Sequence, residues 1–288
     1  MGASSRSMEH GQTTYRLFAH LAVVALVGLP MVAAADEWDV CVKLSDDLAV
    51  AGCTRAIDSH QYTGRSLARL YTRRGGAYQA QGDLDRAMAD FNESMRIDPT
   101  YPSAYNNRGI TWYRRGDLDR AIADYDQAIR LDPKNEYAHA NRAAAWSTKG
   151  DHDRAIADFD QAVRLDPKDA EAYYGRGLVW KAKNDLDRAI ADYSEAIRLS
   201  PKFADAYNNR GSAWGAKGDL DRAIADFNQA IRLNPKDAQA YYNRGIAWEK
   251  KRSLREALAD FKMHSQLAPS NPDGLKAVER VSKELNAR

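Results

Sequence analysis

From residue 68 onward, the sequence repeats itself with a period of 34 residues. Alanine, aromatic and proline positions keep the same phase as a recurring arginine, and no insertion interrupts the six successive units. The units span residues 68–101, 102–135, 136–169, 170–203, 204–237 and 238–271. A period of this length is typical of repeat architectures, in which one short structural unit stacks on the next. The fold must therefore be built from nearly equivalent pieces.

Each unit has the pattern of two helices joined by a tight turn. In the second unit, Tyr105, Gly109 and Trp112 follow the i, i+4, i+7 spacing of one buried helix face. Gly116 breaks this helix, and Asp117 is a favourable N-terminal cap for a second helix. That second helix buries small and aromatic residues and ends before a proline. Because a lone hairpin cannot bury its apolar surface, the sequence predicts that neighbouring units stack.

The order of these positions resembles the tetratricopeptide repeat in all six units. An aromatic, a glycine and a second aromatic on the first helix are followed by alanine, aromatic, alanine and proline on the second. The resemblance implies an all-α, right-handed superhelical solenoid of antiparallel helix pairs. Departures are local: His139 replaces the first aromatic, Ala143 the glycine, and Asn184 and Arg252 the turn glycine. We therefore expect one continuous repeat array over residues 68–271.

The segments on either side of the array have the patterns of caps. Residues 36–67 include an imperfect second helix with Cys53 in the aromatic position, which we interpret as a degenerate half-repeat. Residues 272–288 place Leu275, Val278 and Leu285 on one helical face, with polar residues opposite. We expect this amphipathic helix to cover the open side of the last repeat.

The first 35 residues differ in composition from the rest of the chain. Arg6 and Arg16 precede a short apolar run that is broken by Pro30 and ends in small residues before Asp36. This order is typical of a secretory signal peptide, so we expect residues 1–35 to be removed and the protein to be periplasmic or secreted. An uncleaved membrane anchor is the alternative, because the run is barely long enough to span a bilayer.

Export bears on Cys41 and Cys53, because disulfides persist outside the cytosol. On one continuous helix these two residues would lie about 18 Å apart, whereas a disulfide needs Cα atoms within about 7 Å. The sequence therefore predicts a disulfide-stapled cap in which the chain turns back at Leu44–Asp47. Two free thiols are the alternative, and a metal site is not expected because no histidine lies nearby.

The recurring arginine lies beside the buried face of each first helix. A guanidinium is costly at such a place unless it is paired, as for Arg108 in the second unit. Because the hairpin turns near Gly116, the residue eight before the turn lies level with the residue eight after it, Asp124. The sequence predicts one structural ion pair in every unit, in preference to a ligand-facing arginine. The pairs are Arg74–Asp90, Arg108–Asp124, Arg142–Asp158, Arg176–Asp192, Arg210–Asp226 and Arg244–Asp260.

In tetratricopeptide solenoids the first helices line a concave groove where peptides usually bind. Four units carry an asparagine just before the arginine, and this series resembles the asparagine ladder of the O-GlcNAc transferase repeats, which grips the backbone of an extended peptide. The candidate peptide-binding residues are Asn107, Asn141, Asn209, Asn243, Tyr174 and Tyr242. Arg73 and Gly175 interrupt the ladder. In the alternative interpretation, the asparagines bond neighbouring helix ends and touch no ligand.

Charge and motifs exclude several functions. The 42 basic and 40 acidic residues leave no basic stripe for nucleic acid or an anionic membrane. The histidines are scattered and no glycine-rich phosphate loop occurs, so we expect neither an enzyme nor a cofactor. We expect an exported scaffold that binds a protein or peptide in its groove. The alternatives are an envelope assembly or chaperone-like factor, and a structural subunit of an oligomeric or secretion complex that uses the convex face.

Overall fold

The computed structural model describes Cys41 and residues 46–287, which form fourteen α-helices and no strand. The helices are α1 (Asp46–Asp58), α2 (Gly64–Ala80), α3 (Leu84–Ile97), α4 (Pro102–Arg114), α5 (Leu118–Leu131), α6 (Glu136–Lys149), α7 (His152–Leu165), α8 (Ala170–Ala182), α9 (Leu186–Leu199), α10 (Ala204–Ala216), α11 (Leu220–Leu233), α12 (Ala238–Lys250), α13 (Leu254–Leu267) and α14 (Pro272–Asn286). The predicted all-α class is confirmed.

The helices pack as consecutive pairs. We name the pair α2–α3 repeat 1 and the pair α12–α13 repeat 6, and we number the pairs between them in order. Packing is most extensive within each pair, and the second helix of a pair then packs on the first helix of the next. First helices of neighbouring repeats also touch, whereas second helices make no comparable contact with one another. The first helices therefore lie on the inside of a curved stack, and the predicted solenoid is confirmed.

Local sequence explains where the second helices begin. Five of them start after an aspartate whose side chain accepts a hydrogen bond from the backbone N–H three residues later. These caps are Asp83, Asp117, Asp151, Asp185 and Asp219. The hairpin turn needs a left-handed residue, which is glycine in four repeats, Asn184 (φ 60°) in repeat 4 and Arg252 (φ 64°) in repeat 6. The turn therefore keeps its conformation where the glycine is missing.

Within five repeats, a glycine of the first helix lies directly beneath an aromatic ring of the second. In repeat 2, a Cβ added to Gly109 would lie 2.6 Å from Cε1 of Tyr125. Real carbon atoms do not approach so closely, so only glycine lets the ring pack there. The equivalent pairs are Gly75–Phe91, Gly177–Tyr193, Gly211–Phe227 and Gly245–Phe261.

The N-terminal end of the array is closed by a disulfide. Cys41 and Cys53 are bonded, with their Cα atoms 4.4 Å apart, so the alternative of two free thiols is wrong. Both residues are fully buried and pack with Leu70 of α2. Arg73 Nε donates a hydrogen bond to the Cys41 carbonyl at 3.2 Å. The disulfide-bonded cap is therefore attached to repeat 1 by apolar packing and by this hydrogen bond.

Two predictions concern parts of the chain that the structure does not describe. The signal peptide predicted for residues 1–35 lies wholly outside the described residues. Of the turn predicted at Leu44–Asp47, Leu44 and Ser45 lie outside them, whereas Asp46 and Asp47 begin α1. Across Cys41 and residues 46–287, we find no helix with the length and apolar character needed to cross a membrane.

The C-terminal helix α14 covers repeat 6, and Val278 and Leu285 of the expected face pack against its core. Ala277 and Val281 are fully buried and pack with Phe261 of α13. Leu275 is 54% exposed, so the prediction that it lies on the packed face is wrong. Residues two positions apart in a helix differ by about 200° around its axis. The orientation that buries Ala277 therefore turns Leu275 toward solvent.

Candidate peptide-binding face

Each recurring arginine binds the aspartate sixteen residues later with two parallel hydrogen bonds. In all six repeats, Nε donates to one carboxylate oxygen at 2.8 Å and Nη2 donates to the other at 2.6 to 2.8 Å. All six aspartates are buried. The hydrogen bond to Asp158 raises the pKa of Arg142, in keeping with a strong charge-assisted pair. These pairs hold the two helices of each hairpin together.

A further donor of each arginine, Nη1, reaches the element that precedes its own hairpin. Arg142 Nη1 donates to Asp126 at 2.5 Å, and Arg210 Nη1 donates to Ser194 at 3.0 Å. The other acceptors are Thr54, Asn92, Asp160 and Asn228. This link was not predicted, although from Arg108 onward a hydrogen-bond acceptor stands sixteen residues before every arginine. The arginine therefore joins successive repeats as well as the helices of one hairpin.

Three of the candidate asparagines also donate backward along the stack. Their bonds, each 3.0 Å long, run from Asn141 to Asn106, from Asn209 to the Tyr174 hydroxyl and from Asn243 to Asn208. Each bond joins the first helices of successive repeats inside the helices, whereas the alternative interpretation placed such bonds at helix ends. Asn107 differs, because its Oδ1 lies 3.4 Å from Asn106 Nδ2 on its own helix.

The asparagines differ in the hydrogen-bonding capacity that they keep. Asn209 also donates to the carbonyl of Asp205 at 3.1 Å and accepts a hydrogen bond from Lys181 at 3.0 Å, so its carboxamide is engaged on both sides. Within the described part of the chain, Asn141 makes no side-chain hydrogen bond other than the one to Asn106. Asn141 therefore keeps one N–H and its carbonyl oxygen for another partner.

Both candidate tyrosines pack between helices. The ring centroid of Tyr174 lies 4.7 Å from that of Phe203, and the centroid of Tyr242 lies 5.0 Å from that of His264. Burial raises the pKa of the Tyr174 hydroxyl. Tyr174 and Tyr242 are thus half-buried parts of the wall formed by the first helices.

Gly175 interrupts the asparagine series because an aromatic ring occupies the space of its side chain. Ala143 replaces the usual glycine in repeat 3, so Phe159 cannot take the position that the ring takes in other repeats. A Cβ on Gly175 would lie 2.5 Å from Cζ of Phe159, so this ring packs against the first helix of repeat 4. The residue that would accept the backward bond is Ala140, which has no side-chain acceptor. Ala143 and Gly175 therefore belong to one packing arrangement.

We call the inner surface formed by helices α2, α4, α6, α8, α10 and α12 the first-helix face. Its repeats 3 and 4 expose two large apolar side chains. Tyr137 is 64% exposed and lies one helical turn before Asn141 on α6. Leu178 is 39% exposed and lies one turn after Gly175 on α8. The first-helix face thus combines apolar groups with an available carboxamide.

Charged groups of both signs lie on the same face. Glu171 is exposed, but partial desolvation raises its pKa, and the carboxylates of Asp169 and Asp205 raise it further. The pKa of Asp205 is likewise raised by burial and by Asp237. Burial lowers the pKa of Lys181. Partial desolvation makes a charged contact with a ligand stronger than it would be on an open helix surface.

The described residues include no group of three histidine, cysteine or acidic side chains arranged to hold a metal ion.

Family models match most of the repeat array. A model described as Tetratricopeptide repeat matches residues 74–146, a second with the same description matches residues 147–202 and 181–222, and a model described as TPR repeat matches residues 215–251. Together with the helix-pair geometry, these matches show that the chain belongs to the tetratricopeptide repeat family. No curated protein matches the chain significantly.

Solved structures of tetratricopeptide proteins share the fold. The APC/C hetero-tetramer Cut9–Hcn1 aligns with a TM-score of 0.69 at 20% identity, covering 81% of this chain and 48% of that one, about half its length. YrrB, a TPR protein with an unusual peptide-binding site, aligns with a TM-score of 0.55 at 23% identity, covering 66% of this chain and 97% of that one. MamA aligns with a TM-score of 0.52 at 28% identity, covering 57% and 96%.

Proposed function

We propose that the protein is an exported interaction scaffold that binds an extended segment of a partner protein along its first-helix face. The observation that carries this proposal is the pairing of exposed Tyr137 with Asn141, whose carboxamide keeps a free N–H and carbonyl among the described residues. An extended peptide has the complementary groups, because every residue of its backbone except proline donates and accepts a hydrogen bond. Leu178 adds an apolar contact on the next first helix.

The candidate residues divide into two groups in this proposal. Asn209 and Asn243 hold first helices side by side, and Tyr174 and Tyr242 fill the wall between them. Asn141 contacts the ligand. The peptide-binding site that YrrB is described as having supports a peptide as the ligand of this fold. A chaperone-like activity would use the same face, whereas a structural role through the convex side would leave it unused.

The test is selection from a displayed library of random twelve-residue peptides with the full chain as bait. We expect selected peptides to bind the wild-type protein and to lose about tenfold or more in affinity to the double variant Tyr137→Ala/Asn141→Ala, since one tenfold step is about 1.4 kcal/mol. Binding is measured by fluorescence anisotropy on the labelled peptides.

A matched control tests whether the loss of affinity is specific to the first-helix face or follows from removing any exposed apolar side chain. Leu275 on α14 is 54% exposed and lies off the first-helix face, so Leu275→Ala should leave the affinity unchanged. The melting temperatures of all variants should lie close to that of wild type, because the substituted side chains are exposed or make only one hydrogen bond. Failure to select any peptide, or equal binding by the double variant, would contradict the proposal and favour the convex side.

Export is supported by the buried Cys41–Cys53 disulfide, which would be stable in an oxidising compartment. We expect the mature protein to begin at Asp36, after removal of residues 1–35. Mass spectrometry of the protein recovered from the cell envelope and the medium measures this directly. Recovery of the full-length chain from the cytosol with reduced cysteines would contradict export.

A further inference from the structure

The first helices of repeats 5 and 6 leave an opening of about 210 Å³ between them. Gly215 of α10 and Ile246 of α12 line it on the two sides. Leu220 and Phe227 of α11 line it from the second helix of repeat 5. Because α10 and α12 belong to the first-helix face, the opening lies within the surface proposed to bind a peptide.

Gly215 creates this opening. The equivalent residues of the other repeats all have larger side chains, namely Gln79, Tyr113, Ser147, Lys181 and Glu249. Gly215 lies inside α10, and its φ is not in the left-handed region. A Cβ added to it would meet only the Cβ of Ala223 at 3.7 Å, an ordinary contact. Neither the backbone nor the packing requires a glycine, although glycine inside a helix costs about 1 kcal/mol relative to alanine.

The size and lining of the opening suit one apolar side chain. Pockets for whole small molecules have volumes of roughly 300–1,000 Å³, so an opening of about 210 Å³ is too small for most of them. An apolar cavity of roughly 150 Å³ holds benzene, which has the size of a phenylalanine ring. Leu220, Phe227 and Ile246 provide apolar walls that gain contact area when such a side chain enters.

The rim of the opening carries a polar group and a charge. Asn243 borders it and accepts a hydrogen bond from Gln239 at 2.8 Å, which leaves its carbonyl oxygen one further lone pair. Lys250 also borders it, is exposed and makes no ion pair with any described residue. By contrast, the neighbouring Lys217 and Lys251 both bind aspartates of the preceding repeat. A carboxylate on the ligand would complement the unpaired ammonium of Lys250.

We propose that this opening, which we call the Gly215 pocket, receives a leucine, isoleucine or phenylalanine side chain of an extended peptide that has an acidic residue beside it. The inference rests on the proposed peptide-binding function and adds the residue types that the peptide presents. Lys250 binds the acidic side chain at the rim, where Asn243 keeps its role of joining α10 to α12.

Two variants of the full chain test the pocket with peptides selected from the random library. Gly215→Leu fills the opening with a good helix former, so the variant should fold and melt at or above the wild-type temperature. We expect it to weaken binding of peptides that contain an apolar–acidic pair by about tenfold or more, the effect of losing one buried apolar side chain. Lys250→Glu should instead select peptides with a basic residue in place of the acidic one.

The matched control is Gly76→Leu on α2. Gly76 is also a helical glycine of the first-helix face, and an added Cβ there meets nothing within 4 Å. We expect Gly76→Leu to leave the affinity within about twofold, a difference of about 0.4 kcal/mol. If wild type selects peptides but Gly215→Leu and Lys250→Glu bind them equally well, the pocket is overturned while the proposed function stands. If wild type selects no peptide, both are overturned.

Discussion

Repeats 3 and 5 are built from the same hairpin but place their aromatic ring differently. In repeat 5, Phe227 packs on Gly211 of its own first helix, where an added Cβ would lie 2.9 Å from the ring. In repeat 3, Ala143 blocks that position, and Phe159 packs against Gly175 of the following repeat. Both rings stay buried. A departure from the motif in one unit is therefore compensated by a residue of the next unit.

The two repeats also differ around the arginine–aspartate pair. Arg142 of repeat 3 binds the carboxylate of Asp126 in addition to its own aspartate. Among the described residues, Arg210 of repeat 5 hydrogen-bonds only the neutral hydroxyl of Ser194 in addition to its own aspartate. The half-buried guanidinium of repeat 5 therefore depends on one carboxylate, whereas that of repeat 3 has two.

Removing the aspartate should expose this difference with the largest effect. We expect Asp226→Ala to lower the free energy of unfolding of repeat 5 by about 3 kcal/mol or more, because Arg210 is left without a carboxylate. Asp158→Ala should cost about half as much, because Asp126 still binds Arg142. Hydrogen exchange resolved by hairpin during urea titration measures both, since a solenoid need not unfold in one step. Equal losses would show that the second carboxylate contributes nothing.

The shared packing of Ala143 and Gly175 predicts a non-additive pair of substitutions. Gly175→Ala should destabilise by about 1–3 kcal/mol, because its Cβ overlaps Phe159. Adding Ala143→Gly should recover part of this loss, because Phe159 can then turn onto its own hairpin. Thermal and urea unfolding of the single and double variants give the coupling energy. In repeat 5, Gly211→Ala combined with the same Ala143→Gly should be additive, and additive losses for the first pair would refute the compensation.

Acid should affect the pair of repeat 3 in a way that depends on His139, whose place is taken by Tyr207 in repeat 5. Burial pushes the pKa of Asp158 upward, but the hydrogen bonds from Arg142 and the nearby imidazole of His139, whose Nδ1 lies 3.5 Å from Oδ1, outweigh burial and leave the pKa below its usual value. A carboxyl with a lowered folded-state pKa stabilises the fold above its unfolded pKa, and this contribution is lost as the pH falls through the folded value.

His139→Tyr makes repeat 3 resemble repeat 5. In this variant, the stability that the ionised Asp158 carboxylate contributes should be lost at a higher pH than in wild type. Carbon NMR titration of the Asp158 carboxyl measures the shift, and Asp158→Asn should remove this acid dependence from repeat 3. An unchanged titration midpoint in the tyrosine variant would mean that His139 does not act on Asp158.

The smallest difference concerns the asparagines. Asn141→Ala in repeat 3 removes one hydrogen bond, to Asn106, and should cost about 0.5 kcal/mol. Asn209→Ala in repeat 5 removes bonds to Tyr174, Lys181 and the Asp205 carbonyl, and should cost about 1–2 kcal/mol. Urea unfolding measures both values. A larger loss for Asn141 than for Asn209 would contradict the division of the series into contact and support residues.

Features that repeat within one period could be predicted from the sequence. The helix pairs, their caps and the arginine–aspartate partners depend on residues of one hairpin, where spacing along two helices fixes which side chains lie level. The disulfide was predicted for a similar reason, because Cys41 and Cys53 can bond only if the chain reverses between them. Leu275 was misjudged, because the sequence shows an amphipathic helix but not the angle at which α14 meets α13.

Features between repeats were harder to predict. The bonds from Asn141 to Asn106 and from Arg142 Nη1 to Asp126 depend on the rotation between neighbouring hairpins. The 34-residue period alone does not determine this rotation. The position of the Phe159 ring depends on which neighbouring residue leaves space for it when Ala143 blocks the usual position. The Gly215 pocket is the absence of a side chain in a helix whose pattern is otherwise regular, so only the packed structure reveals the space.

The arginine contacts between repeats have a direction that bears on how the chain is made. The recurring arginine of every repeat from Arg108 onward donates to the second helix of the preceding repeat, and Arg74 donates to Thr54 of α1. Because a protein is synthesised from its N-terminus, each acceptor leaves the ribosome before its donor. Lys262 stands at the acceptor position of repeat 6, where no further arginine of the series follows. Each new hairpin can thus dock on a finished one as translation proceeds.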